Sequence, residues 1–171
     1  HIYWTCEKTK NHYTESIFFT RKTIMGRENL ETYIQSIQSK NGTTPALIDE
    51  DDILEILSII SWNQILWYED LASIKMSSIF IYDIPEDKKE FNIETARKCI
   101  TDMELRPYEW KNIFVLRHFD TATIQAQNAL LKALEECPEY AILLLEVANT
   151  HAILETIQSR TINLVKEYKN Y

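Results

Sequence analysis

The order of apolar patterns between residues 112 and 164 constrains the fold more than any other feature of this chain. Residues 113–116 and 141–147 are apolar runs bounded by polar residues, as in buried strands. Between them, apolar residues recur every three or four positions, as on one face of a helix. These are Ala126, Ala129, Leu130, Ala133, Leu134 and Cys137. A short helix and a third apolar run at 162–165 follow. Alternating strands and helices at this spacing predict a parallel sheet covered by helices.

Upstream of this region the pattern predicts further elements of both kinds. Strands are predicted over residues 1–6 and 77–84, and helices over 13–25, 28–40 and 93–103. Asn92 is a candidate N-cap for the last of these helices. Residues 41–45 (NGTTP) predict a turn. The acids at 49–52 predict the start of a helix, because carboxylates favour the positive end of the helix dipole. Their spacing does not suit a calcium loop, so we expect a solvated helix start.

Length and composition favour one domain with a substantial core. The chain has 171 residues, of which 45% are hydrophobic. We expect the domain to cover 1–165 and residues 166–171 to begin a linker or lid. A chain that starts with His and stops there is expected to be a fragment or a shortened relative.

The charge and the cysteines exclude several classes of function. A formal charge of −8 argues against a free-standing DNA-binding protein, because phosphate contacts need clustered Lys and Arg. Cys6, Cys99 and Cys137 form no CxxC pair, which favours reduced thiols in a cytoplasmic protein without a structural zinc. No apolar run approaches the roughly 18 residues that would cross a membrane. We therefore expect no metal, no cofactor and no membrane contact.

Three motifs in the informative region resemble one protein family. Residues 127–136 read QNALLKALEE and are followed by Pro138, which resembles the "QNALLK-LEEP" helix of bacterial DNA polymerase III clamp-loader subunits, the delta-prime subunit in particular. Asn149 follows a strand where that family carries its sensor. Residues 159–161 (SRT) resemble the family's "SRC" motif, with Thr161 in place of Cys. The resemblance is clear over 112–164, extends less clearly over 93–111 and is weak before residue 93.

This resemblance implies a fold and a partner set. The fold would be a three-layer αβα domain of the AAA+ type, which is P-loop NTPase-like, with a five-stranded parallel sheet in the order 5-1-4-3-2. The partners would be an ATPase subunit and a delta-like subunit of the clamp loader, and indirectly the sliding clamp. DNA would be touched weakly or only within the assembly.

The resemblance also implies that the nucleotide-binding loop is degenerate. When the family's first strand is laid on His1 onward, Glu7, Lys10 and His12 fall where glycines belong. Tyr13 replaces the phosphate-binding lysine, and only Thr14 is retained. No shift of register brings a glycine into this loop. A P-loop needs those glycines so that its backbone N–H groups can surround phosphate.

The acidic positions of the family are also replaced. Arg117 and His118 fall where two carboxylates would hold Mg²⁺ and activate water. An arginine at the metal position repels Mg²⁺. His118 could act as a general base or metal ligand, but no partner cluster supports this, and we expect a strand-end histidine in a polar crevice.

Arg160 is the residue that we expect to carry function. In the family this arginine, with Ser159 and Thr161 around it, reaches the ATP of the neighbouring subunit as an arginine finger. The alternative is an ordinary arginine at a helix end, which the dipole favours. Asn149 is either a sensor or, as we expect without an ATP of its own to sense, a strand-end hydrogen-bonding residue. Tryptophans 4, 62, 67 and 110 could stack on bases, but we expect core and interface packing.

The sequence thus predicts a delta-prime-like, non-hydrolysing clamp-loader subunit, a pseudo-ATPase that supports DNA replication. Two alternatives stay open. The chain could be an active ATPase with an unrecognised phosphate loop, or an AAA+-like interaction module without a replication role.

Overall fold

The computed structural model describes residues 28–39, 42–73, 77–108 and 110–166, and these are built around one sheet. The strands are β1 (Ala46–Ile48), β2 (Ile79–Tyr82), β3 (Asn112–Leu116), β4 (Ala141–Glu146) and β5 (Ile162–Asn163). The helices are α1 (Glu28–Gln38), α2 (Glu50–Ser61), α3 (Ile93–Asp102), α4 (Ile124–Glu135) and α5 (Glu155–Gln158). Short 3₁₀ helices cover Tyr68–Ser73, Phe119–Thr121 and Thr150–Ala152. In this part of the chain no helix is long and apolar enough to cross a bilayer.

All neighbouring strands of the sheet run parallel, in the order β2-β3-β4-β1-β5. Read from the other edge this is 5-1-4-3-2, the predicted order. The central strands are buried on both faces, which explains why β3 and β4 are continuous apolar runs rather than alternating ones. The prediction of a parallel α/β sheet is confirmed.

The helices form a layer on each face of the sheet. Phe114 and Leu116 of β3 point into a core shared with α3, α4 and α5. Ile113 and Val115, the alternate residues of the same strand, pack with α1 and α2. These two cores make the domain a three-layer αβα structure, as predicted.

The strand β1 was not predicted from the sequence. It has only three residues, too few for a periodic signal, and follows directly on a predicted turn. Its hydrogen bonds to both β4 and β5 are tertiary contacts that no local pattern reveals. The predicted strand at 1–6 and the predicted helix at 13–25 lie outside the described residues. Among the described strands, Ala46–Ile48 comes first along the chain and lies between β4 and β5 in the sheet.

The predicted helix start at the acidic run 49–52 is confirmed, but the prediction that the whole run is exposed to solvent was wrong. Asp52 is only 2% exposed, and its Oδ1 accepts a hydrogen bond of 3.2 Å from the Lys166 Nζ. Glu50 and Asp51 are exposed, as expected. The burial of Asp52 could not be predicted, because its partner Lys166 is 114 positions away in the sequence.

The prediction of core packing was also wrong for the tryptophans that the structure describes. Trp62, Trp67 and Trp110 are 60%, 67% and 44% exposed. The Nζ of Lys111 lies 5.0 Å from the centre of the Trp110 ring, while Trp62 is the left-handed cap of α2. Trp4 lies outside the described residues. Cys99 and Cys137 are free thiols, one buried and one half-buried.

Candidate functional site

The sheet order creates a crevice at the carboxyl ends of β1 and β4. These strands are neighbours, but the chain leaves β1 for α2 on one face and leaves β4 for α5 on the other. In open parallel sheets, ligands bind where adjacent strands send their connections to opposite faces. This crevice is therefore where a nucleotide site would lie in such a fold.

The connection that follows β1 is a single residue, Asp49. Its side chain does not cap α2, because its Oδ2 accepts the backbone N–H of Lys166 at 2.9 Å. Burial raises the pKa of the Asp49 carboxyl, although the Lys166 hydrogen bond opposes the shift. A phosphate loop needs several consecutive backbone N–H groups around the anion, and one residue cannot supply them.

The start of α2 also carries acidic side chains, which disfavour the binding of an anion. A helix N-terminus attracts phosphate through its free N–H groups and its dipole. Here Glu50, Asp51 and Asp52 fill the first turn. Their carboxylates repel phosphate at the point where a P-loop helix would attract it.

Arg117 closes the crevice by binding three carboxylates from separate elements. Its Nε lies 3.3 Å from Oε2 of Glu146, the last residue of β4. Its Nη2 lies 3.4 Å from Oε1 of Glu50, the first residue of α2, and its Nη1 lies 3.4 Å from Oδ2 of Asp83, which follows β2. Burial opposes the charge, but Glu146 and the other anions raise the pKa of Arg117 above its ordinary value. The crevice is thus crossed by a permanently charged side chain.

Tyr68 and His118 complete this group, which we call the Arg117 cluster: Glu50, Tyr68, Asp83, Arg117, His118 and Glu146. The Tyr68 hydroxyl donates to Glu146 at 2.9 Å, and burial raises the pKa of that hydroxyl. His118 Nδ1 lies 2.7 Å from Asp83 Oδ1, and its Nε2 lies 3.9 Å from Glu146 Oε1. His118 has a positive φ of 53°, a conformation that His tolerates better than most residues.

Each of the three carboxylates of the cluster contacts Arg117, and Tyr68 and His118 make further contacts with Glu146 and Asp83. Three carboxylates face one guanidinium, one phenol and one imidazole. Among the described residues, no group of three or more His, Cys, Asp or Glu side chains is arranged to hold a metal ion. Arg117 and His118 both lie at the crevice, and both contact carboxylates there.

Asn149 and Asp120 organise the backbone beyond β4. Asp120 Oδ2 accepts the N–H groups of Ala148 and Asn149 at 3.0 and 3.1 Å. The exposed Asn149 side chain accepts the N–H of His151 at 3.0 Å and caps a 3₁₀ turn. In this structure Asn149 therefore acts as a strand-end hydrogen-bonding residue.

Arg160 lies away from the Arg117 cluster, just beyond the end of α5. Its Nε and Nη2 lie 2.8 and 2.6 Å from Oε1 of Glu135, near the end of α4. Its Nη1 donates to the Thr156 carbonyl at 2.8 Å and to Ser159 Oγ at 3.3 Å. Thr161 Oγ1 donates to the Ile157 carbonyl at 3.0 Å. Both neighbours of the arginine thus help to end the helix that presents it.

Gln127 positions this segment, a role that the sequence motif does not predict. Although polar, it is 2% exposed. Its Nε2 donates to the carbonyls of Ala122 and Ala152, and its Oε1 accepts the N–H of Leu154 at 2.8 Å. The sequence does contain a signal for this role, because Gln127 is an amide on the apolar face of an amphipathic helix. The structure shows that it fixes the chain entering α5.

The five positions assigned to a degenerate phosphate loop lie outside the described residues. They are Glu7, Lys10, His12, Tyr13 and Thr14. The connection described after the first strand of the sheet is the one at Asp49.

Comparison with solved structures finds proteins of the same fold. A DNA polymerase III gamma subunit-related protein from Thermotoga maritima matches 83% of this chain with a TM-score of 0.63 and 25% identity. A mutant form of RuvB from the same organism matches 86% with a TM-score of 0.50 and 14% identity, which supports the fold alone. The match covers 47% and 48% of those chains, so this chain spans about half the length of each.

A search of the curated proteins finds no match. Residues 68–167 match the protein family described as "DNA polymerase III, delta subunit". That stretch covers more than half of the chain and contains β2 to β5, most of the Arg117 cluster and Arg160. The fold is that of AAA+ proteins, and the chain belongs to the DNA polymerase III delta-subunit family of clamp-loader subunits.

Proposed function

We propose that this chain is a non-hydrolysing, delta-prime-like subunit of a DNA polymerase III clamp loader. It supports sliding-clamp loading during replication in the cytoplasm and supplies Arg160 in trans to a neighbouring ATPase subunit. It is not itself an enzyme, because its own nucleotide site is degenerate. Its partners are an ATPase subunit and a delta-like subunit.

The observation that carries the non-hydrolysing part is the Arg117 cluster. Where nucleotide and Mg²⁺ would lie, Arg117 connects Glu146, Glu50 and Asp83 across the crevice. A triphosphate entering there would meet carboxylates on α2 and would have to break ion pairs around a buried Glu146, which is 6% exposed. The single residue Asp49, which joins β1 to α2, leaves no room for a phosphate-binding loop in that connection.

Titration of ATP into the full chain tests this part. With Mg²⁺ present we expect no binding tighter than about 1 mM, which corresponds to about −4 kcal/mol. The same titration into an active ATPase subunit of the clamp loader is the positive control. Micromolar, Mg²⁺-dependent binding to this chain would instead support an active ATPase with an unrecognised loop.

The trans role is supported by the position of Arg160. It lies just beyond the end of α5, and its side chain is 35% exposed. An arginine delivered to a neighbour's phosphoryl group increases turnover by about 10³ to 10⁵ in NTPases. The same residue within one chain has no phosphate to act on, so its effect requires an assembly.

Replacement of Arg160 in a reconstituted clamp loader tests this part. Arg160→Ala should lower ATP turnover at the site it faces by about 10³ or more without preventing assembly, which size-exclusion chromatography would measure separately. Arg160→Lys keeps the charge but not the planar fork, so it should restore only part of the turnover. Unchanged turnover and clamp loading in Arg160→Ala would contradict the trans role and favour an interaction module.

A further inference from the structure

In this structure the Arg160 guanidinium is already bound within its own chain. Nε and Nη2, which together form one edge of the guanidinium, both contact Oε1 of Glu135 at 2.8 and 2.6 Å. That N–H edge is one that arginine uses to bind a carboxylate or phosphate with two parallel hydrogen bonds. Glu135 therefore occupies an edge with which Arg160 could bind another anion.

A role in ending α5 does not account for this contact. Nη1 alone satisfies the helix end, because it donates to the Thr156 carbonyl at 2.8 Å. Nε and Nη2 point to α4 instead, and Glu135 is 25 positions earlier in the sequence. The pair thus joins two helices rather than completing one.

The Glu135 contact is weak enough to be exchanged. The two side chains are 35% and 51% exposed. Exposed ion pairs of this kind contribute little to stability and are screened by salt. A phosphate group carries more charge and more acceptor oxygens than one carboxylate, so it competes well for the same guanidinium.

We infer that Glu135 is a positioning residue that holds Arg160 against its own chain until an anionic phosphate group on a neighbouring subunit displaces it. This inference rests on the proposed trans role of Arg160. In the unassembled chain the guanidinium is held by Glu135, and in the assembly Glu135 must release it. The carboxylate acts as an internal competitor for the partner's nucleotide.

The chain supplies a matched control at the next position. Glu136 also lies at the end of α4 and is exposed, but it makes no hydrogen bond to Arg160. Glu135→Gln and Glu136→Gln remove the same charge from the same helix end. Only Glu135→Gln weakens the restraint on Arg160.

The experiment measures ATP turnover by the ATPase subunit of the clamp loader as the full chain is added. Glu135→Gln should lower the half-saturating concentration of this chain about two- to fivefold, as expected when a weak exposed ion pair is removed from the free state. Glu136→Gln should leave it unchanged. The difference between the two variants should shrink as KCl rises from about 0.05 to about 0.3 M, because salt screens the pair. A role in folding alone would not produce that dependence.

Two further measurements separate the possible outcomes. In the Arg160→Ala background, Glu135→Gln should change nothing, because its effect acts through the arginine. In the isolated chain, NMR should show slower exchange of the Arg160 Nε–H with water in Glu136→Gln than in Glu135→Gln. Suppose that Arg160→Ala lowers turnover, but that Glu135→Gln behaves like Glu136→Gln or weakens activation. The inference about Glu135 is then wrong, while the proposed trans role of Arg160 still holds. If Arg160→Ala has no effect, the proposed function fails.

Discussion

The Cζ atom of Arg117 lies 3.8 Å from the centre of the Tyr68 ring. This distance allows a cation–π interaction, and the Tyr68 hydroxyl also donates to Glu146, which Arg117 binds. One aromatic side chain thus contacts the cation through its ring and donates a hydrogen bond to the anion through its hydroxyl. Because most of the Arg117 side chain is covered, with 20% exposed, we expect the cluster to stabilise the fold.

Replacing Arg117 by Met should lower the free energy of unfolding by about 2 to 4 kcal/mol, because the buried Glu146 would lose its main counter-charge. Urea denaturation followed by circular dichroism would measure the loss. Lys88→Met is the control, since Lys88 pairs with Asp87 on the surface, where the side chains are 55% and 78% exposed. The control should change stability by no more than about 0.5 kcal/mol. Equal losses in both variants would contradict a structural role for Arg117.

Replacing Gln127 by Leu should cost about 2 to 4 kcal/mol, because the Leu154 N–H and two carbonyls would lose their partner. Hydrogen exchange should increase most near Leu154 and α5, where the amide holds the chain. Gln125→Leu makes the same substitution on the exposed side of the same helix and should leave exchange there unaltered. A uniform increase over the whole domain in Gln127→Leu would argue against local positioning.

Replacing Asn92 by Ala should destabilise the domain by about 1 kcal/mol. Asn92 was predicted as a cap, and its Oδ1 accepts the N–H of Thr95 at 3.0 Å. Asn92→Asp keeps the acceptor and should retain most of the stability. Thermal denaturation of the three proteins would show this order, and an Ala variant as stable as the Asp variant would exclude a capping contribution.

The Cys137 thiol should react slowly with alkylating reagents at neutral pH. Burial raises its pKa from 9.0 to about 11, so the rate should reach half its maximum near pH 11. Because the folded-state pKa is raised, the associated stability is present below pH 9 and is lost as pH rises through about 11. Peptide mass spectrometry after timed alkylation, with circular dichroism to verify folding, would measure the rate. A midpoint near that of a short peptide containing the same cysteine would refute the shift.

Much of the sheet could be predicted because β2, β3 and β4 are apolar runs beside amphipathic helices. β2, β3 and β4 were predicted in the correct order, and α3 and α4 have strong helical periodicity. β1 could not be predicted, since three residues become a strand only by pairing with β4 and β5. Short elements of this kind depend on their neighbours rather than on local preference.

The candidate site was predicted only in part. Arg117 and His118 were identified as replacements of acids, but their partners Glu50, Asp83 and Glu146 were not. These acids lie in separate segments of the chain, and charged residues without a motif normally indicate a solvated surface. Asp52 was wrongly predicted to be solvated for the same reason, because its partner Lys166 is distant in sequence.

The sequence by itself determined a parallel sheet covered by helices, because hydrophobic burial depends on the spacing of apolar side chains along the chain. The order of the strands was implied by the resemblance to clamp-loader subunits. It also determined which residue types reach the carboxyl edge of the sheet. Only the tertiary structure decided where the first strand lies, which acids Arg117 binds and that Arg160 binds Glu135. Electrostatic and hydrogen-bond partners are chosen by distances of a few ångströms, and such distances exist only once separate elements have packed.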